Sequence, residues 1–148
     1  MKIAIGSDHA GFALKEAIKA HLLAKGYEVL DEGTHSEDRV DYPDYGAAVG
    51  RDVASGKVRF GIVCCGSAEG ISMAANKIKG VRCGIGYNDA VSGLLREHND
   101  ANMIAFAGRF MTPEEVMPRV DLFLTTSFAG GRHTERVAKI MALEKENA

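Results

Sequence analysis

The chain has 148 residues, 46% of them hydrophobic, and carries 18 basic and 20 acidic side chains for a formal net charge of −2. That is the size of one domain, 1–148, with apolar content enough to bury a core without staples, and its balanced charge excludes the basic footprint of a nucleic-acid or anionic-membrane binder. No apolar run nears the ~20 residues that span a bilayer; the apolar part of Met1-Lys2-Ile3-Ala4-Ile5-Gly6 is too short for a signal peptide, and three cysteines without framework spacing read as reduced thiols of a cytoplasmic protein.

In chain order, Ile3–Ser7 reads as a strand. Phe12–Lys25 reads as a helix, apolar at Phe12, Leu14, Ile18, Leu22 and Leu23, and Gly26 stands where a helix C′ glycine belongs. Tyr27–Leu30 gives a second strand, Thr34–Asp44 a polar loop and Tyr45–Ala54 a second helix. Phe60–Cys65 is a strongly apolar third strand, and a helix follows over Gly70–Lys77. Val81–Ile85 is a fourth strand, Asp89–Glu97 a fourth helix and Met103–Phe106 a fifth strand. Pro113 suits the first turn of a helix that runs to about Thr125. Gly130-Gly131 breaks the chain before a final helix that ends near Lys145. Strands alternating with helices predict an α/β fold: a three-layer α/β/α domain with a five-stranded parallel, Rossmann-like sheet and an extra C-terminal helix.

In such sheets ligands bind at the carboxyl ends of the strands, so chemistry belongs in the strand-to-helix turns. The third turn reads Cys64-Cys65-Gly66-Ser67-Ala68-Glu69-Gly70. Successive strand residues face opposite ways, so Cys64 and Cys65 do not project alike, and Cys65, next to Gly66, is the better candidate for the crevice. Backbone N–H groups at the helix start attract anions, and the same field favours a thiolate that serves as base or nucleophile. The plain alternative is an inert small core residue, which is the reading for Cys64 and for Cys83 inside the fourth strand. In the first turn, Asp8 and His9 either relay protons or, for Asp8, cap the next helix. His98 with Asn99 closes the fourth helix and is either functional or a complement to the helix dipole.

Arg132 and Arg136 stand at i, i+4 on one face near a helix start; with Arg109 they offer forks for phosphate oxygens, or else a solvated surface pair. Walker, dinucleotide and cysteine-phosphatase patterns fail on spacing: Gly66 opens no Gly-x-x-x-x-Gly-Lys run, Gly6 and Gly11 are too far apart, and Gly70 and Ile71 occupy the place of the phosphatase arginine. No His, Cys or carboxylate set has tight zinc spacing, so neither metal nor cofactor is expected.

Together, Gly6-Ser7-Asp8-His9-Ala10-Gly11, Val40-Asp41-Tyr42-Pro43, Cys65-Gly66-Ser67, Ala74-Ala75-Asn76-Lys77, Arg96-Glu97-His98-Asn99-Asp100-Ala101-Asn102 and Gly130-Gly131-Arg132-His133 resemble, in order and spacing, the ribose-5-phosphate isomerase B family. That family also contains allose-6-phosphate and galactose-6-phosphate isomerases. The resemblance implies a metal-free aldose–ketose isomerase without cofactor, a homodimer or homotetramer whose site is shared between subunits. It implies Cys65 as the base moving a proton between C1 and C2, Ser67 as a hydroxyl assisting at the substrate oxygens, and His98, with Asp8 nearby, opening the sugar ring. His9, Arg109, Arg132 and Arg136 would hold the phosphate. The sugar would lie against Asp8, His9, Tyr42, Asn99 and the loop of Gly66, Ser67, Ala68, Glu69 and Gly70. The enediolate would be stabilised by backbone N–H groups of that loop.

One departure stands out. The family loop reads Cys-Gly-Thr-Gly-x-Gly, whereas here Ser67 replaces threonine, Ala68 replaces a glycine and Glu69 adds a carboxylate. A φ > 0 conformation is less comfortable for Ala68 than for glycine. Glu69 reads as solvent-facing or as tuning the substrate, since the relatives that use Glu as base carry it nearer Ile71. The readings left beside a pentose-phosphate isomerase are a 6-phosphohexose isomerase and a sugar-phosphate binding protein without catalysis.

Overall fold

A computed structural model describes residues 1–146. Five parallel strands, β1 (Lys2–Ser7), β2 (Glu28–Asp31), β3 (Phe60–Cys65), β4 (Cys83–Ile85) and β5 (Met103–Ala107), form one sheet in the order β2-β1-β3-β5-β4. Six helices connect and follow them: α1 (Phe12–Ala24), α2 (Tyr42–Ala54), α3 (Glu69–Asn76), α4 (Asp89–Glu97), α5 (Pro113–Thr125) and α6 (Arg132–Glu146). The α/β/α layering and the extra C-terminal helix are those expected from the alternating pattern. Period-two alternation along the strands builds two cores. Ile3, Ile5, Ile62, Cys64, Ile104 and Phe106 face α1 and α5, while Ala4, Val63, Cys65, Met103 and Ala105 face α2 and α3.

Several boundaries differ from the sequence reading. Helix α2 begins at Tyr42, inside the expected polar loop, because Pro43 takes a first-turn position behind an extended Asp41. Strand β4 keeps only three residues, Val81 being buried outside it. Gly26 follows α1 at φ 88°, the left-handed stop its position predicts. Thr112 and Glu115 form a capping box at the start of α5, with Pro113 in the first turn. Along α1, Leu23 is exposed and Lys15 takes a core position at 1% exposure. The Lys15 ammonium meets both Asp31 carboxylate oxygens at 2.9 Å, and Lys19 meets one of them at 3.1 Å.

Register brings Ser7 opposite Cys64 and Cys65 opposite Ala107. The carboxyl ends of β1, β3 and β5 therefore lie side by side. The chain reverses direction across the sheet at β1–β3, where β2 goes one way and β3 the other, the switch point at which open α/β sheets form a crevice. Helix α6 sits at the opposite end. Glu144 accepts from the Gly80 amide, the Arg82 guanidinium meets the Met141 sulfur, and the Ala129 amide ahead of α6 donates to Glu97.

Candidate active site

The Cys64 and Cys65 side chains fall in different cores, as strand alternation requires. Burial pushes the Cys64 thiol far above its usual range. Cys83, expected in the core, is half-buried on the edge strand, because β4 has a neighbour on one side only; desolvation pushes its thiol up to about 12. Cys65, 4% exposed, lines a cleft of about 340 Å³ with Asp8, Tyr42, Gly66, Ser67, Gly70, Arg109 and Phe110. The cleft lies where β3 runs into α3, at the helix end whose first-turn amides have no intrahelical acceptors; of these, the Glu69 amide donates to Ser67 Oγ at 3.3 Å.

Backbone packing shapes this end. The turn after β1 lies so close to β3 that a Cβ on Gly11 would collide with the Cys64 carbonyl. One Asp8 oxygen accepts from the Gly11 amide at 3.0 Å, so Asp8 braces the turn into α1 and also lines the cleft. His9 accepts from the Val40 amide at Nδ1, 3.2 Å, which orients its ring. The Tyr42 ring lies against Gly70, where a Cβ would come within 2.5 Å of it. The Arg109 amide donates to the Gly66 carbonyl at 3.1 Å, which seats Arg109 over the cleft floor. Ala68 caps α3 in the left-handed conformation, φ 71°, with its methyl fully buried. Glu69 is exposed in the first turn of α3, and neither its side chain nor that of Ala68 lines the cleft.

The remaining expected residues gather elsewhere. His98 ends α4 and stacks on His133, ring centroids 4.2 Å apart and planes 14° apart. Arg132 and Arg136 are exposed at the start of α6 beside this pair. Asn99 lines an apolar groove of about 440 Å³ with Leu95, Ile140 and Leu143. Desolvation, then the charges of His98, Arg132 and Arg136, holds His133 below the usual histidine range. All of these sit where β4 and β5 begin. Cys65 sits where β3 ends, and a strand of six residues separates the two ends by roughly 17–20 Å. A single chain thus brings Asp8, Tyr42, Cys65, Ser67 and Arg109 together, but not with His98, Asn99, Arg132 and Arg136.

Residues 3–140 match the profile of the ribose/galactose isomerases. The chain belongs to that family. Among its relatives, ribose-5-phosphate isomerase B of Escherichia coli is 46% identical over 144 residues, 97% of each chain. The structure of Clostridium thermocellum ribose-5-phosphate isomerase B superposes with a TM-score of 0.99 at 47% identity over the whole of both chains. That of the Mycoplasma genitalium enzyme with bound ribulose 5-phosphate superposes at 0.94 with 39% identity, over 98% of this chain and 97% of that one. Two residues placed beside these candidates carry no role in the sequence reading. Phe110, 77% exposed, lines the cleft, and its signal is a large aromatic directly after the Gly108-Arg109 turn. His133 belongs to the Gly130-Gly131-Arg132-His133 motif, but its contact with His98, 35 positions away, is made through space. Among the described residues, no three of His, Cys, Asp or Glu converge as a metal site, and no helix is long and apolar enough to cross a membrane.

Proposed function

We propose that this family member interconverts ribose 5-phosphate and ribulose 5-phosphate through an enediolate, without metal or cofactor, in the cytoplasm, as one domain over 1–148. Of that span, Asn147 and Ala148 lie outside the described residues. The observation that carries the reading is the Cys65 thiol in a cleft at the carboxyl end of β3, beside the amides that open α3 and the Asp8, Tyr42, Ser67 and Arg109 side chains. Relatives similar over their full length bear the name ribose-5-phosphate isomerase B, which favours the pentose over a 6-phosphohexose.

The chemistry runs as a proton shuttle. In the cyclic aldose, His98 gives a proton to the ring oxygen as its bond to C1 breaks, and the anomeric hydroxyl gives its own proton to the Asp8 carboxylate as the C1 carbonyl forms. The Cys65 thiolate then takes the C2 proton of the open aldehyde. Negative charge develops on the oxygens of C1 and C2, where amides of the Gly66–Gly70 turn donate in fixed geometry. Ser67 passes the O2 proton to O1, and the Cys65 thiol returns its proton to C1, giving the ketose. Ala68 and Glu69 contribute backbone to that turn.

His9 and Arg109 hold the phosphate from the cleft side, and Arg132 and Arg136 from the other. Since one chain keeps these sets a strand length apart, a second copy supplies His98, Asn99, Arg132 and Arg136. The working unit is a homodimer, alone or within a homotetramer, with two shared sites.

The test is direct. The protein should form ribulose 5-phosphate from ribose 5-phosphate, faster than it converts allose or galactose 6-phosphate, and exhaustive chelation should leave the rate unchanged. Iodoacetamide should label Cys65 ahead of Cys64 and Cys83, with substrate protecting it. Substrate binding without turnover would reduce the protein to a sugar-phosphate binder. Activity lost to chelation and restored by zinc or manganese would end the metal-free mechanism, and unaltered turnover in Cys65→Ala with loss in Glu69→Gln would move the base.

A further inference from the structure

The turn His98-Asn99-Asp100 is held more firmly than an exposed helix end requires. Asp100 is left-handed, φ 47°, a conformation that a non-glycine residue adopts at a cost. Two arginines from different elements grip it. Arg82, just ahead of β4, donates to the Asp100 carbonyl from Nε at 2.9 Å and from Nη2 at 2.7 Å. Arg96, on α4 itself, donates from Nη1 to the Asp100 carboxylate at 2.9 Å and to the Ala101 carbonyl at 2.7 Å. The Arg96 guanidinium is buried against the Phe60 ring, 4.9 Å from its centroid. The Ala101 amide reaches back to the Leu95 carbonyl and the Asp100 amide to that of Arg96, so the intervening residues form a closed loop. A glycine would relieve the backbone strain, but it has no carboxylate for Arg96 to hold. The strain is therefore exchanged for a fixed anchor two residues from the imidazole.

We propose that Arg82 and Arg96 are positioning residues for His98, acting through the Asp100 turn that they clamp. Arg82 holds the turn through a two-nitrogen fork, which fixes orientation as well as distance, while Arg96 ties the Asp100 carboxylate and the Ala101 carbonyl together through one nitrogen. His98 lies on the loop so closed, with His133 stacked on its face. The inference rests on the ring-opening role proposed for His98, and the chemistry provides a way to separate the two. Ribulose 5-phosphate is acyclic, because its C5 hydroxyl carries the phosphate and cannot close a ring on C2. Exchange of its C1 proton with solvent therefore needs Cys65 but no ring opening, whereas conversion of cyclic ribose 5-phosphate needs both.

The experiment measures both reactions in Asp100→Asn, Arg82→Lys and His98→Asn, with exchange followed by NMR in deuterium oxide at saturating ketose. In the two clamp variants, ribose 5-phosphate turnover should fall about tenfold or more, since misplacing a catalytic group by as little as ~1 Å can cost ~100-fold. C1 exchange should stay within about twofold of wild type, the bound from an acyclic substrate with its base undisturbed. Equal loss of both reactions would mean that the clamp merely holds the fold, and loss of neither would mean that it positions nothing; either result overturns the inference. If Asp100→Asn does not fold, Arg82→Lys decides, because it keeps the charge and removes the fork. A split in His98→Asn without one in the clamp variants sinks the clamp alone. No split in His98→Asn sinks the ring-opening role and the clamp with it.

Discussion

The two ends of the sheet hold their candidate groups in opposite physical states. At the carboxyl end, Cys65 and Asp8 are buried, and their positions follow from strand register and backbone contact. At the amino end, Arg132 and Arg136 are exposed on the first turns of a helix, and His98 and Asn99 lie on a turn anchored by side chains. The first end is set by main-chain hydrogen bonds and cannot drift without the sheet. The second presents exposed guanidinium forks beside a half-buried pair of stacked imidazoles. In the shared site proposed above the difference has a use: one end serves as a preset floor, and the other as the cover for a partner's floor.

The strongest way to break this contrast is to disable one end at a time and mix. Cys65→Ala should lose ~10²–10⁴-fold in turnover, the usual loss for a general base, and His98→Asn should be impaired on ribose 5-phosphate. Random exchange of subunits would make half the dimers mixed, each with one intact site, so about a quarter of wild-type activity should return. If mixing restores nothing, each site lies within one chain and the floor-and-cover account fails.

A second test loads the carboxyl end from below. Asp31 accepts from Lys15, Lys19 and the Gly33 amide, and Gly33 and Thr34 pair with Ser7 at the end of β1. Asp31→Asn leaves the buried Lys15 ammonium uncompensated, so urea unfolding should show a loss of about 3–5 kcal/mol. Burial raises the Asp31 carboxyl, but the hydrogen bonds from Lys15, Gly33 and Lys19 outweigh it and hold the group below its ordinary value. Its stabilisation is therefore complete above the ordinary carboxylate range and is lost as pH falls through the depressed value. An unchanged unfolding midpoint in Asp31→Asn would show that this network does not support the floor.

The cover should respond differently. Arg132→Ala and Arg136→Ala should each weaken transition-state binding by about 1.5–3 kcal/mol, roughly tenfold or more in kcat/KM, with little change in stability because both side chains are exposed. Wild-type kinetics in both would return them to the role of solvated surface charges. The smallest effect concerns His133. Its folded-state affinity for protons is below normal, so the unfolded chain binds more protons and stability rises with pH. Its contribution is whole above the ordinary histidine value of ~6.5 and disappears as pH falls through the depressed value. The drop in Tm between about pH 7.5 and about pH 5.5 should therefore shrink in His133→Asn; a drop of wild-type size would remove His133 as its source.

Much of the floor was legible because its signals are local. Adjacent cysteines at a strand end must diverge, so Cys65 could be separated from Cys64 by alternation alone. Gly26 and Pro113 mark helix ends by backbone conformation, which the residue type itself restricts. Pro43 carries the same first-turn signal, but the polar stretch around it masks the start of α2. Lys15 was illegible, because a lysine on a helix reads as solvated until its partner, 16 residues away on β2, is known. The separation of His98 from Cys65 is a property of the sheet, not of any motif. A helix that leaves the carboxyl end of β4 must finish at the amino end, whichever residues it carries.

Ala68 has a consequence for the thermodynamics of ligand capture. A glycine at this left-handed cap would leave the loop many conformations when empty, all to be surrendered when an anion binds. The Ala68 methyl is packed in the core with the backbone at φ 71°, so packing holds the folded loop in one shape against the residue's own preference. The ordering term is met during folding, and less entropy remains to be lost at the moment of binding. Calorimetry with inorganic phosphate should accordingly show a more favourable binding entropy for this chain than for its Ala68→Gly variant.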